Sequence, residues 1–300
     1  MKVAIIINGI SRKKNKFYNE IFPALSRHFN IDVFETKWAG DAESLAAAAV
    51  ANKFSVILSA GGDGTLHQVI NGVLKNEVGG DLPTIGLIPL GSGNDFARAC
   101  SIGTEPEQII QLLNAAQTKL TDIGQITCLD KKGATITRHF INACSLGMGP
   151  EVVKRMSKRS RLWGPDLSYL ISIISTFISH RPQPVYIKMS QYEWRGKARV
   201  VAIANGQSFG NSIYIAPEAR LDDGVFNSFI AGEVPLWKFL LYLQAIKGKK
   251  KINDSMVHYH STSSAELSAS EQCALEAEGE FVGFLPAAIK ILPKKIMFLR

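Results

Sequence analysis

No two cysteines in this chain lie close enough to form a C-x-x-C pair. Cys100, Cys128, Cys144 and Cys273 are scattered over the 300 residues, which argues against a zinc site or a disulfide framework and for reduced cytosolic thiols. Long apolar runs are missing too. The longest, Leu167 to Ile178, is interrupted by Ser168, Ser172, Ser175 and Thr176 and is too short to span a bilayer. Val3 to Ile7 is too short for a signal-peptide core and lacks a small-residue cleavage site. There is no internal repeat or low-complexity tract. Walker A and the Rossmann G-x-G-x-x-G are also absent. These absences leave a cytoplasmic globular protein as the expectation.

The length favours two domains, and 46% hydrophobic residues supply material for two cores. A net charge of +8 suits nucleic acid or an anionic membrane surface. The charge is clustered in Lys154, Arg155, Lys158, Arg159 and Arg161 beside Trp163, and in Lys247, Lys249, Lys250 and Lys251. Neither cluster carries a nucleic-acid fingerprint, so no nucleic-acid partner is expected. A basic segment with an aromatic neighbour ahead of an apolar helix suits transient docking on anionic headgroups, peripheral at the inner membrane face.

The chain is organised around Val56 to His67. An apolar strand meets Gly61-Gly62-Asp63-Gly64-Thr65, and Leu66, Val69, Ile70 and Val73 then recur with helical spacing. Glycines there let a ligand approach the backbone, and the N–H groups at the helix start form an anion site. Asp63 adds a carboxylate for Mg²⁺ and Thr65 a hydroxyl for a phosphate oxygen. A sharp strand-to-helix connection would use the same glycines, so one turn alone decides little. A second apolar strand, Thr84 to Ile88, enters a second such turn at Gly91-Ser92-Gly93-Asn94-Asp95-Phe96-Ala97-Arg98. Two turns at the carboxyl ends of strands in one sheet would face one crevice.

These two motifs in this order resemble the catalytic domain of the diacylglycerol kinase family, which includes bacterial soluble lipid kinases and sphingosine and ceramide kinases. The first is shared with NAD kinases. The resemblance implies ATP contacts at Asn8, Gly9, Ile10, Ser11 and Arg12, with Gly9 where the family has proline. It also implies contacts at Thr36, Gly61, Gly62, Asp63, Gly64, Thr65, Leu66, His67, Ser92 and Asn94. The family usually has asparagine at the position of His67, which is itself expected to face solvent.

Along the chain, helices are expected at Phe17 to Phe29, at Leu45 to Ala51 behind an Asp41 or Ser44 cap, and from a Thr104–Glu107 capping box to Ala116. Asn71-Gly72, within or just after the helix, is expected to pack against the first glycine turn. Four strand–helix alternations make residues 1–120 an α/β nucleotide-binding domain with a doubly wound parallel sheet, like that of phosphofructokinase and NAD kinase. Residues 121–300 read as β-rich and sandwich-like, a lipid-binding domain. Strands are expected at Ile136 to Ala143, Val185 to Met189, Ala198 to Ala204, Val225 to Ile230, Ser263 to Leu267 and Cys273 to Ala277, with helices at Leu167 to Ser179 and Leu236 to Lys247. By the resemblance the last strand, near Ile296 to Leu299, returns to the first domain.

Asn205-Gly206 with Ala216-Pro217-Glu218-Ala219-Arg220-Leu221-Asp222-Asp223-Gly224-Val225 also resembles the lipid kinases. The resemblance places a structural Mg²⁺ on the Asp223 carboxylate and the carbonyls of Arg220 and Val225. By residue type alone the loop is a β-turn. Glu278-Gly279-Glu280 stands where the family has Asp-Gly-Glu, and a kinase acting on an alcohol needs a carboxylate to accept the hydroxyl proton. Either Glu278 or Glu280 is that base, with Asp63 near the metal. Three glutamates in five residues would also suit a solvated strand edge. The expectation is an ATP- and Mg²⁺-dependent lipid kinase acting on a diacylglycerol- or sphingoid-type hydroxyl held between the domains, with a homodimer left open. The rivals are a kinase for a soluble alcohol such as NAD, and a nucleotide or lipid sensor without catalysis.

Overall fold

The computed structural model describes residues 2–75, 81–158, 165–210 and 212–300, with only the backbone described for residues 157, 158 and 165–168. The chain divides into two compact units, one running to Ile123 and including Lys294–Arg300, the other Gly124–Pro293.

The first unit runs β1 (Lys2–Ile7), α1 (Lys14–Lys16), a π-helical turn (Phe17–Ile21), α2 (Phe22–Ser26), β2 (Asn30–Glu35), α3 (Asp41–Ala51), β3 (Val56–Gly61), α4 (Asp63–Leu74), β4 (Thr84–Pro89), α5 (Asp95–Ala99), α6 (Pro106–Asn114) and the first half of β5 (Thr118–Leu129). The strands lie in the order β2-β1-β3-β4, all parallel, and Phe298 adds a parallel partner to Ile85 on β4. β1 and β3 are covered on both faces, which is why they read as unbroken apolar runs. The sequence order of strands reverses between β1 and β3. In an open sheet of this kind that reversal opens a crevice at the carboxyl ends of the strands.

Several local expectations are corrected. The helix predicted over Phe17 to Phe29 starts at Lys14, ends at Ser26 and widens into a π turn; Pro23 has no N–H to give to Asn19, which favours the wider turn. Neither Asp41 nor Ser44 caps α3. Gly40 holds the cap position at φ 89°, and Asp41 Oδ2 instead accepts the Lys37 N–H at 2.8 Å. Thr104 and Glu107 form no capping box, because Pro106 takes the first helical position and moves the cap to Glu105, which makes no side-chain cap bond. Gly72 packs on α3 rather than on the first glycine turn: a Cβ there would lie 2.1 Å from the Glu43 carbonyl oxygen. His67 is buried at 4% exposure, because its position on α4 faces the core.

The second unit continues β5 and adds β6 (Thr135–Phe140), β7 (Ala143–Gly147), α7 (Met148–Lys158), α8 (Pro165–Ser179), β8 (Gln183–Met189), β9 (Glu193–Ala198), β10 (Val200–Ala204), β11 (Phe226–Ala231), α9 (Leu236–Lys247), β12 (Val257–Thr262), β13 (Ser264–Ala269), β14 (Ala274–Ala277) and β15 (Glu280–Leu299). One antiparallel series runs β12-β11-β10-β7-β14-β15, and another joins β15 to β13, β8 and β9. Their shared core includes Phe140 stacked on Phe226 at 5.5 Å, with Leu275 and Ile289.

The strand predicted over Ile136 to Ala143 is interrupted at Ile141-Asn142, where the backbone N–H groups turn to a carboxylate instead of a ladder. The strand predicted over Ala198 to Ala204 is interrupted at Arg199, whose Nη1 donates to the carbonyls of Phe177 and His180 at 2.9 and 2.5 Å. β9, β12, most of β15 and α7 were not legible as elements. Among the described residues, no helix is long and apolar enough to cross a membrane.

Candidate active site

The loops that follow β1, β2, β3 and β4 are tied together by side chains. The Asn8 amide donates to Thr65 Oγ1 at 3.3 Å, the Gly9 N–H to Thr36 Oγ1 at 3.0 Å, and Ser11 Oγ to the Leu90 carbonyl at 3.2 Å. The N–H groups of Leu90 and Gly91 both donate to the Gly61 carbonyl. Asn8, Gly9, Ser11, Thr36, Gly61 and Thr65 are therefore in one place. Gly9 is required sterically, since a Cβ would lie 2.2 Å from the Thr36 carbonyl oxygen. Beside it Glu35 accepts from Lys14 and from Tyr18, the latter at 3.1 Å. Lys14 holds that carboxyl below its usual range, while burial, then Glu35, pushes Tyr18 up.

The two glycine turns touch. A Cβ on Gly91 would lie 2.5 Å from Gly62 Cα, so this contact exists only between glycines. Asp63 joins the turns, its Oδ2 and Oδ1 accepting the N–H groups of Asp95 and Phe96, each at 3.1 Å. Burial, and then the neighbouring Asp95 charge, raise its pKa. Arg98 pairs with Asp95 at 2.6 Å. Asn94 adopts a left-handed conformation at φ 54°, and its amide donates to the Gly91 carbonyl at 3.0 Å. α4 starts at Asp63 behind an extended Gly62, with no side-chain cap. The N–H groups of its first turn, including Gly64, are what an anion at this loop would meet.

Other predicted contacts are distributed differently. Leu66 is fully buried and its N–H is spent on the Gly62 carbonyl, so its side chain faces the core, as does that of His67. Ile10 is 91% exposed at its loop tip. Arg12 and Ser92 are exposed.

In the second unit, Glu278 and Gly279 form a two-residue hairpin turn between β14 and β15, both with positive φ, 55° and 78°. That is the backbone a tight turn of this length demands. Glu278 Oε1 receives three backbone N–H groups, from Ile141 at 3.1 Å, Asn142 at 2.6 Å and Ala143 at 3.3 Å. The Asn205 amide braces this segment by donating to the Ile141 carbonyl at 2.7 Å, and the Asn142 amide donates to the Ser208 carbonyl at 2.6 Å. Glu280 is half-buried and opens β15 opposite Ala277. The three glutamates are not a solvated edge. Glu276 is 1% exposed, opposite Ser145 on β7. Ser145 Oγ bonds its Oε1 and the Gly279 N–H its Oε2, the latter at 2.9 Å. Burial lifts its carboxyl from 4.5 to about 7. Sequence reasoning missed Glu276 as a buried group, though its place inside the strand expected over Cys273 to Ala277, between Leu275 and Ala277 rather than in the turn, was a signal.

Among the described residues, no three His, Cys, Asp or Glu side chains converge on a metal site. The Asp223 loop offers a smaller set. Asp223 is exposed and its Oδ1 accepts the Val225 N–H at 3.2 Å, Gly224 turns at φ 74°, and the Arg220 guanidinium pairs with Asp222. One exposed carboxylate on a turn rich in carbonyls is an all-oxygen donor set of the kind Mg²⁺ completes with water, so these residues fit that ion.

In the first basic cluster, Lys154 pairs with Glu151 at 4.0 Å, and Arg155 reaches Ser175 and Ser179 on α8. Residues 159–164, including Arg159, Arg161 and Trp163, and the side chain of Lys158 lie outside the described residues.

Residues 2–126 match the family model described as the diacylglycerol kinase catalytic domain, and residues 143–300 match the YegS C-terminal NAD kinase beta sandwich-like domain. A diacylglycerol kinase of Bacillus subtilis is 29% identical over 95% of this chain and 92% of its own length. A YegS-like lipid kinase of Pseudomonas putida is 31% identical over 75% of this chain and 72% of its own. A crystal structure of a diacylglycerol kinase from Bacillus anthracis shares the fold, with a TM-score of 0.74 at 21% identity over 99% of this chain and 96% of that one. With a parallel α/β unit carrying both glycine turns and a β sandwich-like unit carrying Glu278-Gly279-Glu280, the chain belongs to the diacylglycerol kinase and YegS-like lipid kinase family.

Proposed function

We propose that this enzyme transfers the γ-phosphate of ATP to the hydroxyl of a lipid of the diacylglycerol or sphingoid type, with Mg²⁺. The observation that carries the reading is the joining of the two glycine turns by Asp63. It holds the two turns against each other and leaves the N–H groups at the start of α4 to meet a chain of phosphates. The α4 N-terminus and the Asn8–Arg12 loop bind the phosphates, and Thr36 lies toward the nucleoside. Asp63 keeps the second turn in register and contributes negative charge beside the phosphates, where a cation is needed.

Mg²⁺, when bound, offsets charge on the transferring group. Asp223, with the Arg220 and Val225 carbonyls, would hold a second, structural ion. Glu278 takes the acceptor's proton. Three N–H groups aim its carboxylate, and a base that accepts a proton as the new O–P bond forms needs above all to be aimed. Glu280, two residues on at the start of β15, supports the same hydroxyl.

The test is label transfer from γ-labelled ATP into a lipid extract, partitioned into organic solvent, for wild type, Glu278→Gln and Glu280→Gln. Organic label that disappears in Glu278→Gln supports the reading. Label that survives in Glu278→Gln but not in Glu280→Gln moves the base to Glu280. Label only in the aqueous phase with NAD as acceptor overturns lipid specificity.

A further inference from the structure

α9 is apolar on two opposite faces. Its inner face buries Leu243 and Ile246 and stacks Phe239 on Phe177 at 4.0 Å. Its outer face leaves Leu236 at 39%, Trp237 at 62%, Leu240 at 44% and Leu241 at 57% exposure. At about 100° per residue these four, with exposed Gln244, share an arc of about 140°. Four large apolar side chains on one solvent-facing arc are more than the scattered exposure of an ordinary surface, and such a patch marks an interaction site.

The surroundings of the patch say what it meets. Lys247 projects from the same arc in the last turn, and Lys249, Lys250 and Lys251 follow directly. Lys251 pairs with Glu218 and Lys238 with Asp254, the latter at 2.5 Å. Lys249 lies over the Tyr214 ring at 4.6 Å. Among the described residues no carboxylate pairs with Lys247, Lys249 or Lys250, so the end of the patch carries a positive excess. A second copy docked face to face would bring the same lysine-rich surface toward itself. A layer of anionic headgroups over acyl chains complements both halves, with lysines at the phosphates and the indole and leucines at the acyl boundary.

We infer that the outer face of α9, through Leu236, Trp237, Leu240 and Leu241 with Lys247, Lys249 and Lys250, seats the protein on an anionic lipid bilayer. Docking was expected at the Lys154 to Arg161 stretch beside Trp163; α9 is a different element and runs into the second basic cluster of the sequence, Lys247 to Lys251. Binding needs no nucleotide, so the inference stands or falls apart from phosphoryl transfer.

The experiment is sedimentation of the full chain with phosphatidylcholine vesicles, with and without phosphatidylglycerol, for wild type, Trp237→Ser/Leu241→Ser and Lys247→Gln/Lys250→Gln. Wild type is expected to bind the phosphatidylglycerol vesicles, and bromine on the acyl chains to quench tryptophan emission, an effect lost in Trp237→Phe. Each double variant is expected to lower the partition coefficient about tenfold, and raising salt to erase the contribution of the lysines. Activity on detergent-dispersed acceptor is expected to stay at the wild-type level, which separates lost docking from lost catalysis or folding. Equal binding by wild type and Trp237→Ser/Leu241→Ser overturns the inference. So does equal binding to vesicles without phosphatidylglycerol. A wild-type dimer that Trp237→Ser/Leu241→Ser converts to monomer overturns it in favour of an interface between copies.

Discussion

Replacing Glu276 by glutamine should change how stability depends on pH while leaving the fold in place. The wild-type carboxyl sits beneath the Glu278-Gly279 turn at 1% exposure, with its pKa raised from 4.5 to about 7 by burial. Between those two values the folded chain holds a proton that the unfolded chain has released, so stability falls as pH rises and levels off above about pH 7. Each tenfold change in proton affinity between the folded and unfolded chain is worth about 1.4 kcal/mol, so the loss amounts to about 3 kcal/mol. Glutamine has the same shape and no charge to lose. Its carbonyl accepts the Gly279 N–H and its NH₂ donates to Ser145. Cys144, the neighbouring buried group, has its thiol pushed well above its ordinary value by burial and by the Glu276 and Glu278 charges, so it stays protonated throughout.

The assay is urea unfolding of both proteins by circular dichroism at intervals from about pH 5 to about pH 8, comparing midpoints. Relative to wild type, Glu276→Gln is expected to gain about 3 kcal/mol across that range. A constant difference at all pH values would refute a carboxyl that stays protonated in the fold.

Asp63→Asn keeps one acceptor but turns an N–H donor toward another donor at the start of α5. It should cost about 2 kcal/mol in the first unit's unfolding and lower phosphotransfer, both measurable on one preparation. Gly9→Ala forces the first loop away from Thr36, and the expected outcome is about a tenfold rise in KM for ATP with the second unit's unfolding unchanged. Gly124→Ala drives a methyl to 2.2 Å from the Phe140 ring and should destabilise the second unit by about 2 kcal/mol. Gly124→Ala/Phe140→Leu should recover part of that loss in the same urea titration, and additive losses would sink the argument.

The first unit was largely legible because its signals are local. β1 and β3 are unbroken apolar runs, and glycine turns mark the ends of β3 and β4. The caps were misjudged where one neighbour outweighs a pattern, as Pro106 does for α6. The second unit was harder to read. Arg199 and the Ile141-Asn142 segment interrupt strands for reasons that lie far along the chain, at Phe177 and Glu278. The loops that gather Asn8, Thr36 and Thr65 could be named from motifs, but the partnership of Asp63 with the Asp95 and Phe96 N–H groups could not. No spacing rule says which donors a buried carboxylate will find. Glu276 was hidden for the opposite reason, since charged residues in a row are ordinarily taken for surface.

The strand added to β4 near Phe298 bears on how the protein is made. Phe298 is fully buried, with its ring 5.0 Å from that of Phe96 beside the second glycine turn. A ribosome therefore finishes residues 124–293 before it can supply the piece that closes the first unit's sheet. Until then the open edge of β4 exposes unpaired backbone and an apolar slot to whatever chaperone is near. Stalled chains ending before Lys294 should yield to protease within the first unit, and chains extended through Arg300 should resist. The unit written first is completed last, and its order of assembly is set by the far end of the sequence.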